Sequence, residues 1–140
     1  MNAFTVQIPI RFGDCDAAGI VFYPRYFEML NRVVEDWFAQ ELGRPFRALH
    51  LEEGFSVPTA RFEVDFRKAS RMEDVLDFAL AIESLGRASC GLRIQVRCGA
   101  ELRIDVKQTI VFVEQSSMKP TPWPDDLRAA MAPFLVLETA

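Results

Sequence analysis

Residues 24–42 constrain the fold more than any other stretch of the chain. Tyr26, Leu30, Val33 and Trp37 recur at helical spacing, and Phe27, Val34 and Phe38 widen that stripe. Pro24 suits the first turn of a helix, where its missing N–H is not needed, and Gly43 followed by Pro45 ends the helix. A helix apolar over so much of its surface has to be wrapped by another layer. A curved sheet is the natural element to cover it.

Strand patterns stand on both sides of this helix. Residues 5–12 alternate Val6, Ile8, Ile10 and Phe12 against Thr5, Gln7, Pro9 and Arg11, a half-buried strand in which Pro9 argues for an edge position. A connector at 46–54 has room for one helical turn. Four alternating segments then carry Phe62, Val64 and Phe66; Leu76, Phe78, Leu80 and Ile82; Leu92, Ile94 and Val96; and Leu102, Ile104, Val106, Ile110 and Phe112. Gly86 and Cys98-Gly99-Ala100 mark tight turns, so the pairing is mainly antiparallel. A proline-rich piece at 120–124 closes the sheet, and Asp125 caps a short helix over 126–131. The expectation is one α+β domain over 1–140, a curved antiparallel five-stranded sheet wrapped around one long central helix.

Composition narrows the function classes. The net charge of −4 gives no bulk attraction to nucleic acid or to an anionic membrane. No apolar run is long enough to span a bilayer and Met1-Asn2-Ala3-Phe4 lacks a signal-peptide pattern, so a cytoplasmic protein is expected. Three cysteines without metal-ligand spacing read as reduced thiols. The only histidine, His50, lies in the polar connector, which argues against a metal site, a Ser-His-Asp triad and a Cys–His pair. Cys15 stands between Asp14 and Asp16, whose charges would suppress its thiolate.

The chemistry-bearing stretch is 12–27. Two carboxylates, Asp14 and Asp16, precede the helix start, which presents unpaired backbone N–H groups and a positive dipole end. A carboxylate facing such donors, with room for a carbonyl between them, suits acyl transfer. From the residues alone, Asp16 reads first as a loop carboxylate capping the helix, worth about 1 kcal/mol, ahead of a catalytic one. Asp14 reads as structural, bonding loop N–H groups.

Gly13-Asp14-Cys15-Asp16-x-Ala18-Gly19-Ile20-Val21-x-Tyr23-Pro24-x-Tyr26 closely resembles the signature of the 4-hydroxybenzoyl-CoA thioesterase family, whose fold is the hot-dog fold. The resemblance covers nearly the whole chain. It implies dimers joined edge to edge by their sheets and often paired into homotetramers. Asp16 then matches the catalytic carboxylate, as general base or as nucleophile. The backbone N–H of Tyr23 would polarise the thioester carbonyl, and Gly19 would let substrate approach the chain closely. Phe22, Asn31 and Val57 would line the acyl pocket between two subunits, and Arg87 matches a position that contacts the CoA nucleotide. Gly86 and Ala88 replace basic neighbours there, for which Arg67, Lys68 and Arg71 could compensate. Asn31 stands where the family has an aspartate and Val57 where it has a threonine, which relaxes any preference for a 4-hydroxyl.

The reading is therefore an acyl-CoA thioesterase acting on an aromatic or medium-sized acyl group. It needs no cofactor, since coenzyme A is part of the substrate. Glu28 and Glu35 on the helix are the fallback carboxylates. The rival readings are a non-catalytic acyl-CoA or acyl-carrier-protein binding module and a hot-dog dehydratase.

Overall fold

The computed structural model describes residues 2–136. Strand β1 (Phe4–Pro9) leads through a 3-10 turn (Phe12–Asp14) to helix α1 (Pro24–Gln40). A π-helical turn (Ala48–Glu52) and a short β2 (Phe55–Ser56) precede the long strands β3 (Thr59–Phe66), β4 (Val75–Leu85), β5 (Ser89–Cys98) and β6 (Glu101–Val111). Short strands β7 (Val113–Glu114) and β8 (Lys119–Pro120), helix α2 (Asp125–Met131) and a last 3-10 turn (Ala132–Phe134) complete the described chain. The main sheet runs β1-β4-β5-β6-β3, and every neighbouring pair is antiparallel.

The apolar stripe of α1 does what its spacing predicts. Tyr26, Met29, Leu30, Val33, Val34, Trp37 and Phe38 are buried. They share one core with Phe78, Leu80 and Ile82 of β4, Leu92, Ile94 and Val96 of β5, and Ile104, Val106 and Ile110 of β6. Each such side chain contributes about 1.5–3 kcal/mol when fully buried. Past Gln40, the Glu41 and Leu42 N–H groups both bond the Trp37 carbonyl, and Gly43 takes φ +68°, a conformation that favours glycine. The result is the hot-dog arrangement, a five-stranded sheet around one long helix.

Several expectations need correction. The first strand stops at Pro9, and Phe12, expected inside, is 80% exposed. The Asp14 carboxylate accepts the Arg11 N–H at 2.9 Å, which turns the chain into the 3-10 turn and swings Phe12 outward. Asp125 begins α2 rather than capping it, because Pro124 is still extended (ψ 147°) and holds the N-cap position. A second, three-stranded sheet, β2-β7-β8, was not anticipated; its strands are two residues each, too short to show a period.

The registers define two ends of the main sheet. At one end lie the last residue of β1, the first of β4 and the last of β3, joined by residues 67–74 and the hairpin over 14–22. At the other lie the β4–β5 turn, the start of β3 and the end of β6. β4 alone has 11 residues, so the ends are separated by about 35 Å of strand.

Candidate active site

The segment 14–22 folds into a small antiparallel hairpin. Phe22 N–H donates to the Asp14 carbonyl, Cys15 bridges Val21, and Asp16 N–H donates to the Ile20 carbonyl. Gly19 N–H closes the turn on the Asp16 carbonyl, with Gly19 at φ +79°, and a Cβ placed there would meet nothing within 4 Å. The demand at Gly19 is thus conformational, since a left-handed residue is cheapest as glycine. Asp16 Oδ1 accepts the Ala18 N–H at 2.9 Å. Among the described residues its other oxygen has no hydrogen-bond partner, and no ion pair involves Asp16. The carboxylate is exposed, and one oxygen is held by the turn while the other is left open.

Tyr23 stands at the N-cap of α1 with helical dihedrals. Around it the N–H groups are committed: Phe22 to Asp14, Arg25 to the Phe22 carbonyl, Tyr26 to the Tyr23 carbonyl, while Pro24 has none. Among the described residues no hydrogen bond uses the Tyr23 N–H. That group is three residues beyond Ile20, the ladder partner of Asp16, a spacing of about 10 Å along an extended chain. Beside it opens a hollow of about 280 Å³ lined by Ile20, Tyr23, Tyr26, Phe66, Arg67 and Lys68, among others. Of its aromatic lining, Tyr23 is 58% and Phe66 51% exposed; Phe22, 47% exposed, stands against Tyr23 outside that lining. Tyr23 meets Phe22 edge-on at 5.7 Å between ring centres and Phe66 at 6.3 Å.

The hairpin rests on residues 67–74. Val21 N–H donates to the Ser70 carbonyl, and Ile20 bridges Arg71. Arg103 clamps this loop: one guanidinium nitrogen reaches Ala69 O (3.1 Å), Ser70 Oγ (3.0 Å) and Asp74 Oδ2 (2.9 Å), and Nε reaches Glu101 Oε1 (2.6 Å). Asp74 also accepts the Arg71 N–H at 2.9 Å. That bond, with the Arg103 guanidinium, holds its carboxyl below the usual carboxylate range. Buried Tyr26 lies over Ser70, and burial pushes its phenol above the ordinary value.

The other candidates are scattered. Asn31 is exposed on α1. Val57 is buried in the core just before β3, and Arg87 is exposed in the β4–β5 turn; both are at the sheet end opposite Asp16 and Tyr23. Cys15 Sγ lies 3.7 Å from the Arg11 carbonyl, while His50 Nδ1 bonds Phe46 O at 2.8 Å in the connector, so the two do not pair. Glu28 is taken by Arg25 at 3.0 and 3.1 Å. No cluster of metal-ligating side chains occurs among the described residues, and no helix is long and apolar enough to cross a membrane. Sequence reasoning missed Arg103 as the clamp of the loop; its partners lie about thirty residues upstream.

The sequence pattern of the thioesterase-like superfamily matches residues 10–131, taking in the hairpin, α1 and the four long strands β3–β6. The chain belongs to that superfamily. This member is 32% identical over 89 residues to a 4-hydroxybenzoyl-CoA thioesterase from Pseudomonas, an alignment covering 63% of each chain. It is 28% identical over 131 residues to a 1,4-dihydroxy-2-naphthoyl-CoA hydrolase from Synechococcus elongatus, covering 91% of this chain and 94% of that one. A 1,4-dihydroxy-2-naphthoyl-CoA thioesterase from Synechocystis has the same fold, with a TM-score of 0.85 over 94% of this chain and 96% of that one at 20% identity.

Proposed function

We propose that this superfamily member hydrolyses acyl-CoA thioesters bearing an aromatic or medium-sized acyl group, releasing the carboxylic acid and free CoA. Its being a thioester hydrolase rests on the superfamily and on relatives that are themselves thioesterases and CoA hydrolases. The observation that carries the rest is the uncommitted Tyr23 N–H at the edge of an aromatic hollow, a few residues along the hairpin from a carboxylate with one open oxygen. The thioester oxygen accepts from the Tyr23 N–H, and charge developing on that oxygen strengthens the bond. Asp16 either takes a proton from the attacking water or attacks the carbonyl itself, giving an anhydride that water then opens. CoA leaves as the thiolate. The exposed rings of Tyr23 and Phe66 in the hollow suit an aromatic acyl group.

A second copy belongs to this reading. β3 is a free sheet edge on which Arg61, Glu63 and Asp65 alternate along the strand with half-exposed Phe62 and Val64, and pairing it covers an edge otherwise open to water. Light scattering of the purified protein tests the dimer, and any pairing of dimers into tetramers. The hydrolase is tested by thiol release from a panel of acyl-CoAs with wild type and Asp16→Asn. Asparagine keeps an oxygen for the Ala18 N–H, so the turn survives and only the carboxylate is lost. Turnover should vanish in the variant with substrate binding retained; equal rates reject Asp16, and no turnover on any acyl group favours a binding module.

A further inference from the structure

We propose that residues 67–71 form the site for the phosphates of CoA, with Arg67, Lys68 and Arg71 as its cations; this rests on the acyl-CoA reading above. The hollow beside the Tyr23 N–H has an aromatic floor and a basic rim, since Arg67 and Lys68 line it. Arg71 is joined through its backbone to Ile20 on the same hairpin. The three cations are poorly matched by acids. Arg67 is 3.9 Å from Asp65 and Lys68 is 4.0 Å from Glu101, at the outer limit of an ion pair, with side chains 55% and 65% exposed. Among the described residues no hydrogen bond or ion pair uses the Arg71 side chain.

The acids best placed to neutralise this loop are already spent: Asp74 and Glu101 sit at 2.9 and 2.6 Å from Arg103. A protein of net charge −4 thus carries a basic strip, only loosely paired with acids, along the rim of its aromatic hollow. A thioester with its carbonyl at Tyr23 and its acyl group on the aromatic floor sends its pantetheine arm out over that rim. Arg87 cannot play this part within the same chain, because the β4–β5 turn lies at the opposite end of an 11-residue strand. The Arg103 clamp gives the strip a fixed shape, so little ordering is needed when phosphate binds.

The test compares a CoA thioester with the N-acetylcysteamine thioester of the same acyl group, which has no phosphates. In Arg67→Gln/Lys68→Gln/Arg71→Gln the ratio of kcat/KM for the CoA substrate to that for the short one should fall about 100-fold, carried mainly by KM, and its salt dependence should flatten. Equal losses on both substrates, or none on either, overturn the proposal. So does a selective loss produced by Arg87→Gln and not by the loop variants. If wild type hydrolyses neither thioester, the hydrolase reading fails, and calorimetric titration with free CoA decides the site alone: weaker binding in the triple variant sustains it, unchanged binding refutes it.

Discussion

Replacing Arg103 by methionine should separate stability from catalysis. The guanidinium is 13% exposed; its bonds to Ala69, Ser70 and Asp74 join the strand to the loop beneath the hairpin, and Glu101 holds it from two residues back on the same strand. Removing one partner of a fully buried ion pair costs about 3–5 kcal/mol. Here Asp74 and Glu101 are 29% and 48% exposed, so water compensates in part and the loss falls nearer about 2–3 kcal/mol. For a domain of this length that lowers Tm by about 7–10 °C.

Arg93→Met is the control. Its guanidinium bonds Asp105 at 2.6 and 2.7 Å across β5 and β6, without touching residues 67–74 or the hairpin. Both variants should melt early, but at 15 °C only Arg103→Met should lose kcat, by about 10- to 100-fold, because the loop that seats Val21 and Ile20 is released. Asp74 adds a pH signature. Its folded pKa is lowered, so its stabilising contribution is complete above the ordinary carboxylate pKa and fades as pH falls through the folded value. The Tm gap between wild type and Arg103→Met should therefore narrow in acid. Full kcat in Arg103→Met at 15 °C, or an equal loss in Arg93→Met, would refute the idea that the clamp holds the hairpin in place.

Tyr23 has φ −53°, close to the proline value, so Tyr23→Pro deletes the N–H with little backbone strain there. Tyr23→Pro should lower kcat by about 10²–10³-fold relative to Tyr23→Ala, which loses the same ring but keeps the donor; matching rates would show that the amide is not used. Gly19→Ala places an L-residue at φ +79° and should cost about 1–2 kcal/mol in chemical denaturation, whereas a neutral result would mean the turn relaxes to another conformation. Cys90 is buried and its thiol is pushed up to about 12, so mass spectrometry of native protein treated with iodoacetamide at pH 8 should find Cys15 and Cys98 modified before Cys90.

What the sequence made legible was what is periodic. The stripe from Tyr26 to Phe38 and the alternation in the long strands each need only a few neighbouring residues to be read. The sheet order was not legible, because β3 bonds β6 rather than its neighbour in sequence, and nothing local to Phe62 or Val106 announces that pairing. Gln108 occupies an inward position of β6 and is 2% exposed, bonded to Thr59 across strands. A polar residue there breaks the apolar alternation, and only the distant Thr59 explains its tolerance. The site divides the same way. The carboxylates and the helix start were visible in one run of residues. The free Tyr23 N–H depends on the Phe22 N–H being taken by Asp14, a pairing across the hairpin.

That division bears on how a complete site must be assembled. Asp16, Gly19, Phe22 and Tyr23 lie on one hairpin and the helix start that follows it. Val57 and Arg87, which the family pattern adds to them, lie at the far end of the sheet, and Val57 is inside its own core. No hinge among the long strands can close such a distance, since every ladder from β1 to β3 would have to break. If those two residues act on a thioester held at Tyr23, they reach it from a second copy, and single-site losses in Arg87→Gln should then be restored in mixed oligomers with Asp16→Asn, each chain supplying the half the other lacks. A monomer with full activity would remove Val57 and Arg87 from the site and leave the hairpin and the basic loop to do the chemistry and the binding within one chain.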